Sequence, residues 1–176
     1  MGLNYMTAFT GADHSRGHSE QEVFGIPVPQ AVDRLAIEGK AALTIFNQDV
    51  GASVKDSSML CTFVARLALL PKNLGPMVIA DLWRAAQGFD VTPEEVVRVG
   101  ERMTNLARLS NLRAGLTRAD DTLPERLMTE PLKTGASKGH RISSVDRDFM
   151  LDEYYSLRGW DAKGVPTPGR LKDLGL

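Results

Sequence analysis

Apolar residues recur at a helical period along most of the chain. Between Ala31 and Lys55, Leu43, Phe46, Val50 and Val54 fall three and four apart, so they share one face and predict an amphipathic helix. Asp56-Ser57-Ser58 ends it, because these side chains compete for backbone hydrogen bonds. The apolar run from Met59 to Leu70, closed by Pro71, suits a buried helix or strand by periodicity alone. With helices expected on both sides, helix is the reading taken. Met77 to Gln87 forms the next helix, bracketed by Gly75-Pro76 and Gly88, with Trp83 in the core. Thr92-Pro93-Glu94-Glu95 is a capping box with proline at the first helical position. It opens a long helix whose stripe Val96, Val99, Met103, Leu106 and Ser110 continues to about Leu112, and Gly115 can supply the left-handed residue that stops it. Val145 to Leu157 is helical again, with Phe149, Tyr154 and Tyr155 as core or interface aromatics and Gly159 as the stop. A short proline-started helix closes the tail. Strand-like alternation is nearly absent, so the expected fold class is mostly α.

Punctuation divides this single expected domain, 1–176. Residues 1–30 carry Gly2, Gly11, Gly17, Gly25, Pro27 and Pro29 and read as an irregular, loop-rich lead-in. Residues 31–116 are the helical core, 117–144 a loop-rich segment, and 145–176 the closing helices and tail. Lys133 to Ser144, rich in glycine, serine and basic residues, is expected to be a mobile loop.

Composition changes the picture little. The chain has 176 residues, 43% hydrophobic and 24% charged, as in ordinary globular proteins. A net charge of -1 gives no field to recruit nucleic acid or an anionic membrane. No apolar stretch reaches the roughly 18 residues that span a bilayer, and the first residues lack a secretory pattern, so a cytoplasmic chain is expected. The lone cysteine, Cys61, excludes an internal disulfide, and by itself it cannot build a cysteine-only cluster.

Candidate chemistry gathers at two places. Gly11-Ala12-Asp13-His14-Ser15-Arg16-Gly17-His18 sets a carboxylate, two imidazoles and a guanidinium between glycines. On composition alone this is a polar surface loop, and no helical signal aligns His14 with His18 as a metal pair. Asp56 and Cys61 close the first long helix; the bland reading is a polar helix end followed by a buried thiol.

Five motifs follow one another: Gly11-Ala12-Asp13-His14; Asp56-x-x-x-Leu60-Cys61; Asn111-Leu112-Arg113-x-Gly115; Asp121-x-Leu123-Pro124-x-Arg126; and Tyr154-Tyr155-x-x-Arg158-Gly159-Trp160-Asp161-x-x-Gly164-x-Pro166-Thr167. The succession resembles the C-terminal part of the tungsten-containing aldehyde ferredoxin oxidoreductase family. The resemblance covers nearly the whole chain, including the closing Leu171-x-x-Leu174-Gly175-Leu176.

That resemblance implies an irregular helical domain and a tungsten bis-pterin cofactor with a 4Fe-4S cluster in the complete enzyme. It implies Asp56 as a pterin contact, Leu60 as a matching residue of the same cofactor-binding motif, and Cys61 as an iron ligand. Where the family has glycine this chain has Met59, so a side chain occupies the space of a close backbone approach. His14 matches a histidine beside the metal, suited to hydrogen-bonding substrate oxygen or moving a proton. Arg113, Asp121 and Arg126 match a segment bordering the pterin pocket; helix-terminal ion pairs are an equal reading of each. The tyrosine and tryptophan tail reads as packing. The implied reaction is aldehyde plus water to carboxylic acid, with electrons passing to ferredoxin. Such an enzyme needs an N-terminal part, the implied source of the other cluster ligands, as the same gene product or a separate subunit, and the isolated chain is expected to be inactive and to bind no cofactor. A homo-oligomer is compatible with the resemblance. Two other readings stay open: a non-catalytic helical interaction protein on the same scaffold, and a relative with a non-aldehyde substrate.

Overall fold

A computed structural model describes residues 1–25, 27, 30–51, 56–61 and 75–176. Among them no strand forms, and extended pairing is limited to one bridge between Trp160 and Pro166. The lead-in holds two short helices, α1 (Gly2–Thr7) and α2 (Glu20–Phe24), where irregular chain was expected. Neither has a side-chain cap, so no local signal marks them; Leu3 and Met6, three apart on α1, are held by the core.

Helix α3 covers Lys40–Gly51, beginning well after Ala31. The Asp33 carboxylate accepts the Leu35 amide at 2.9 Å, and Gly39 sits at φ 75°, so the chain turns before Lys40. Of its predicted stripe, Leu43 is buried, Phe46 and Val50 are half-buried, and Val54 lies outside the described residues. Most of the run from Met59 to Leu70 lies outside them as well. Helix α4 (Pro76–Gln87) has the expected ends, with Gly88 left-handed at φ 72°. Its Trp83 is half-buried against Ile79, Ala80 and Val96.

Helix α5 (Pro93–Arg113) starts at the capping box: the Glu95 amide donates to Thr92 Oγ1 at 3.2 Å and the Thr92 amide to Glu95 Oε2 at 2.7 Å. Its buried face keeps Val96 of the predicted stripe, with Val99 and Met103 half-buried, but turns away from Leu106 and Ser110. Val96, Gly100, Thr104, Asn105 and Arg108 are buried, while Leu106 is 51% exposed. The helix is rotated because its polar side chains find partners inside, whereas Leu106 finds none. A 3-10 turn (Arg118–Asp120) and the short α6 (Glu125–Thr129) follow. The glycine-rich loop beyond them is closed by backbone bonds, Leu132 amide to His140 oxygen at 3.1 Å and Gly139 amide to Leu132 oxygen at 2.8 Å.

Helix α7 (Ser144–Arg158) begins at a Ser143/Asp146 capping box and ends at Gly159, φ 70°. Tyr154 and Tyr155 are buried; Phe149 is exposed. The tail folds back through Trp160 and ends in α8 (Pro168–Leu174), capped by Thr167. Helix α3 packs against both α5 and α7. The main core joins Leu3, Met6, Ala41, Leu123, Met150 and Leu151 to Tyr154, Tyr155 and Trp160. Tyr154 meets Trp160 edge to face, 5.6 Å between centroids at 87°, a geometry that adds about 1 kcal/mol beyond burial.

Candidate functional site

The glycine-bounded loop is fixed at both shoulders. Asn111, near the end of α5, donates to the Phe9 carbonyl at 2.9 Å, and Asn4 on α1 donates to the Asp13 carbonyl at 3.0 Å. Gly17 presses on the same asparagine: a Cβ there would lie 2.3 Å from Asn4 Oδ1, so only glycine allows this approach. Within the loop the Ser15 amide donates to Asp13 Oδ1 at 2.7 Å, and Arg16 Nε lies 3.6 Å from Asp13 Oδ2. Burial raises the Asp13 carboxyl, but the Ser15 amide, Arg16 and His14 outweigh it and hold the group below its ordinary range.

Arg16 joins the two candidate places. Its guanidinium forms a close ion pair with Asp56 and lies 5.5 Å over the Phe9 ring. His14 is largely exposed, its Nδ1 3.9 Å from Asp13 Oδ1. Its ring centroid is 6.1 Å from that of His18, which lies 3.0 Å from Glu20 Oε1 through Nδ1. The structure therefore brings the His14 loop and Asp56 together, through a residue that sequence reading had not singled out. The only signal for Arg16 was a guanidinium placed among glycines; a contact across 40 positions leaves no local trace.

Beyond Asp56 the chain makes a tight turn, with the Met59 amide donating to the Asp56 carbonyl at 3.3 Å. Met59 is the one non-glycine residue with positive φ among the described residues, at 54°, and its side chain is 92% exposed. The backbone thus keeps a left-handed conformation that glycine favours, and the side chain points outward. Leu60 turns back against the Ile79, Ala80 and Val96 cluster, while Cys61 is an exposed free thiol. The bland alternative of a thiol sealed in a core does not describe Cys61. Ser58 Oγ is buried without a hydrogen-bond partner among the described residues.

Other candidates lie elsewhere. Asp121 is buried between Arg108, which donates to Oδ1 at 2.9 Å, and the Tyr155 hydroxyl, which donates to Oδ2. Arg108 also donates to the Gly164 carbonyl at 2.8 Å, closing the tail loop on α5. Burial, then the charge and hydrogen bond of Asp121, push the Tyr155 hydroxyl up, so it stays a donor. Arg113 is exposed in the last turn of α5, and Arg126 pairs with Glu130 at 3.1 Å on the surface. No group of three or more His, Cys, Asp or Glu among the described residues is placed to share a metal ion.

A buried polar chain supports the loop from beneath. Gln48 Nε2 donates to Asn4 Oδ1 at 3.2 Å and to Thr7 Oγ1 at 3.0 Å; Gln48 Oε1 accepts from the Tyr154 hydroxyl at 2.6 Å and from Arg158 at 2.8 Å. Arg158 also pairs with Asp49 at 2.7 Å, and Asp49 accepts from Thr104 at 3.4 Å. Burial pushes the Asp49 carboxyl up, yet it faces a guanidinium that stays charged.

The fold is shared with a larger redox assembly. The solved active-site complex BamBC of benzoyl coenzyme A reductase, in complex with 1,5-dienoyl-CoA, superposes with a TM-score of 0.62 over 99% of this chain and 25% of that one, at 21% identity. The family model described as "Aldehyde ferredoxin oxidoreductase, domains 2 & 3" matches residues 1–176. The chain belongs to the aldehyde ferredoxin oxidoreductase family and matches its C-terminal part. It is 37% identical to the tungsten-containing aldehyde ferredoxin oxidoreductase of Pyrococcus furiosus, over 99% of this chain and 27% of that protein. The Thermococcus kodakarensis counterpart is 34% identical over the same shares. An "aliphatic sulfonate oxidoreductase, WOR-like subunit" of Pyrococcus furiosus is 32% identical over 69% of this chain and 19% of that protein. The chain thus spans about a quarter of the length of the curated relatives it matches. No helix among the described residues is long and apolar enough to cross a membrane.

Proposed function

We propose that this chain forms one wall of the cofactor pocket in a cytoplasmic tungsten enzyme that oxidises an aldehyde. The overall reaction converts aldehyde and water into carboxylate, two electrons and three protons, the electrons passing to ferredoxin. The observation that carries the reading is the Arg16–Asp56 pair, which seats the His14 loop against the Asp56 to Cys61 turn. The donor set fits the implied groups. The Asp56 carboxylate suits ring N–H donors, Ser58 Oγ is buried and unengaged among the described residues, and the Cys61 thiol faces outward for iron. Bound there, the tungsten-pterin group and cluster would supply the two-electron oxidation and its outlet to ferredoxin.

The chain's own residues bind and orient. Asp13 lies beside His14 Nδ1, and the imidazole Nε2 is left to face and hydrogen-bond a substrate oxygen. Arg16 holds Asp56 in place and offsets its charge until ring donors share it. Met59 projects where a close backbone approach would otherwise be free, so it shapes the pocket edge. Arg113 follows two residues after the asparagine that anchors the loop, and its part in the pocket rests on the family resemblance alone. Asp121 acts at a distance, by holding Arg108 and the tail.

Co-expression with the matching N-terminal part, in a host supplied with tungsten and iron, tests the reading. The assembly is expected to contain both metals, and Cys61→Ser to lose iron while the two parts still co-purify. Wild-type iron content in Cys61→Ser, or an assembly without metals, overturns it. The sulfonate oxidoreductase match motivates one alternative, a non-aldehyde substrate, which is read by assaying the same assembly with aldehydes and alkyl sulfonates side by side.

A further inference from the structure

A cleft of about 530 Å³ opens between α2, α3, α6 and the turn at 132–142, on a part of the surface the pocket proposal does not use. Its floor is core: Leu3, Leu123 and Met150 are buried. Its rim is apolar and open, since Val23, Leu35, Leu127 and Leu132 all line it and all are exposed. Four exposed aliphatic side chains converging on one concavity differ from the scattered apolar residues of an ordinary surface.

The charges of the cleft are unbalanced. Glu22 is taken by Lys40 and Glu130 by Arg126. Arg34 donates only to Ser137 Oγ at 3.5 Å and Arg141 only to the Thr129 carbonyl at 3.0 Å, and neither has a carboxylate at ion-pair distance among the described residues. Two guanidinium groups therefore line the cleft with no carboxylate at ion-pair distance among the described residues, Arg141 acting on the Asp146 carboxylate only from farther off. A partner that covered this surface would need apolar side chains at its centre and carboxylates at its edge.

We propose that the cleft seats an apolar, carboxylate-bearing segment of the polypeptide that corresponds to the remaining length of the curated relatives. Those relatives are nearly four times as long as their match to this chain, so in them a large body of protein accompanies the matched part and is the source of that segment. The inference rests on the reading that the two parts work together, and not on the roles given to Asp56 and Cys61. Helix α2, which walls the cleft, follows directly on the His14 loop, so contact here and contact at the pocket would form one continuous surface.

The test expresses this chain with that polypeptide from the same source and measures complex formation by size-exclusion co-elution and by titration. Iron and tungsten are assayed in parallel. The wild-type chain is expected to form the complex. Leu127→Asp/Leu132→Asp is expected to weaken it at least about tenfold, as loss of central apolar contacts does at interfaces. Arg34→Glu/Arg141→Glu should weaken it similarly and remove its sensitivity to salt. Val145→Asp, exposed but outside the cleft, should leave it unchanged. Thermal melts of the variants confirm that they are folded. Undiminished binding by both double variants overturns the proposal, as does a wild-type chain that forms no complex. Self-association of the chain alone, lost in the same variants, overturns it too by making the occupant a second copy. Cys61→Ser keeps the readings apart, because loss of iron with binding intact concerns the pocket alone.

Discussion

Met59 holds a backbone conformation that suits a different residue. An L side chain at φ 54° costs about 1–2 kcal/mol. Glycine removes that cost but adds about 0.5–1 kcal/mol of unfolded-chain entropy. Met59→Gly is therefore expected to stabilise the chain by about 0.5 kcal/mol in urea denaturation, and a loss of stability would show that the thioether has an apolar contact worth more than the strain. Cys61 and Leu60 show how little a residue's type says about its direction. Two apolar-looking neighbours diverge, Leu60 onto the second core cluster and Cys61 outward. Asp121 makes the complementary point: a carboxylate in a motif that borders the pocket by resemblance is engaged by Arg108 and Tyr155, as a network of ion pairs predicts.

Helix ends were mostly legible where a side chain writes them. Thr92/Glu95 forms the capping box its spacing announces, and Gly88 and Gly159 take the left-handed stops; the Ser143/Asp146 box that opens α7 emerged only in the structure. Helix faces were less legible, because α5 buries polar residues in preference to Leu106. Its closest approach explains why: a Cβ on Gly100 would lie 2.0 Å from the Asp49 carbonyl oxygen, so α5 meets α3 backbone to backbone. Gly100→Ala must separate the two helices and is expected to cost about 3 kcal/mol. Thermal or urea unfolding would read this as a large drop, whereas Leu106→Ala, at an exposed position, should change stability by less than about 0.5 kcal/mol. A smaller effect of Gly100→Ala than of Leu106→Ala would show that the predicted stripe, and not the observed face, makes the contact.

For the molecule as a whole, Arg158 is the point where α1, α3, α5 and α7 become interdependent. It is fully buried, pairs with Asp49, and reaches Gln48 and Tyr154, whose partners extend to Asn4 and so to the His14 loop. Arg158→Met leaves Asp49 buried without its counter-charge and is expected to cost about 3–5 kcal/mol. Arg158→Met/Asp49→Leu should recover part of that loss in the same urea melts, since the stranded charge is gone; a double variant as unstable as the sum of the singles would show that the pair is not coupled. The sequence by itself determined the helical class, the capped helix ends and the family, because period, cap chemistry and motif order are local and survive without a third dimension. Only the tertiary structure decided that α3 starts at Lys40, that α5 turns its polar side inward, and that Arg16 ties the His14 loop to Asp56. The start of α3 is a local turn that the apolar period overrides on paper, whereas the other two depend on partners dozens of residues away, and the free energy of a buried polar group is set by the partner it finds, not by its neighbours along the chain.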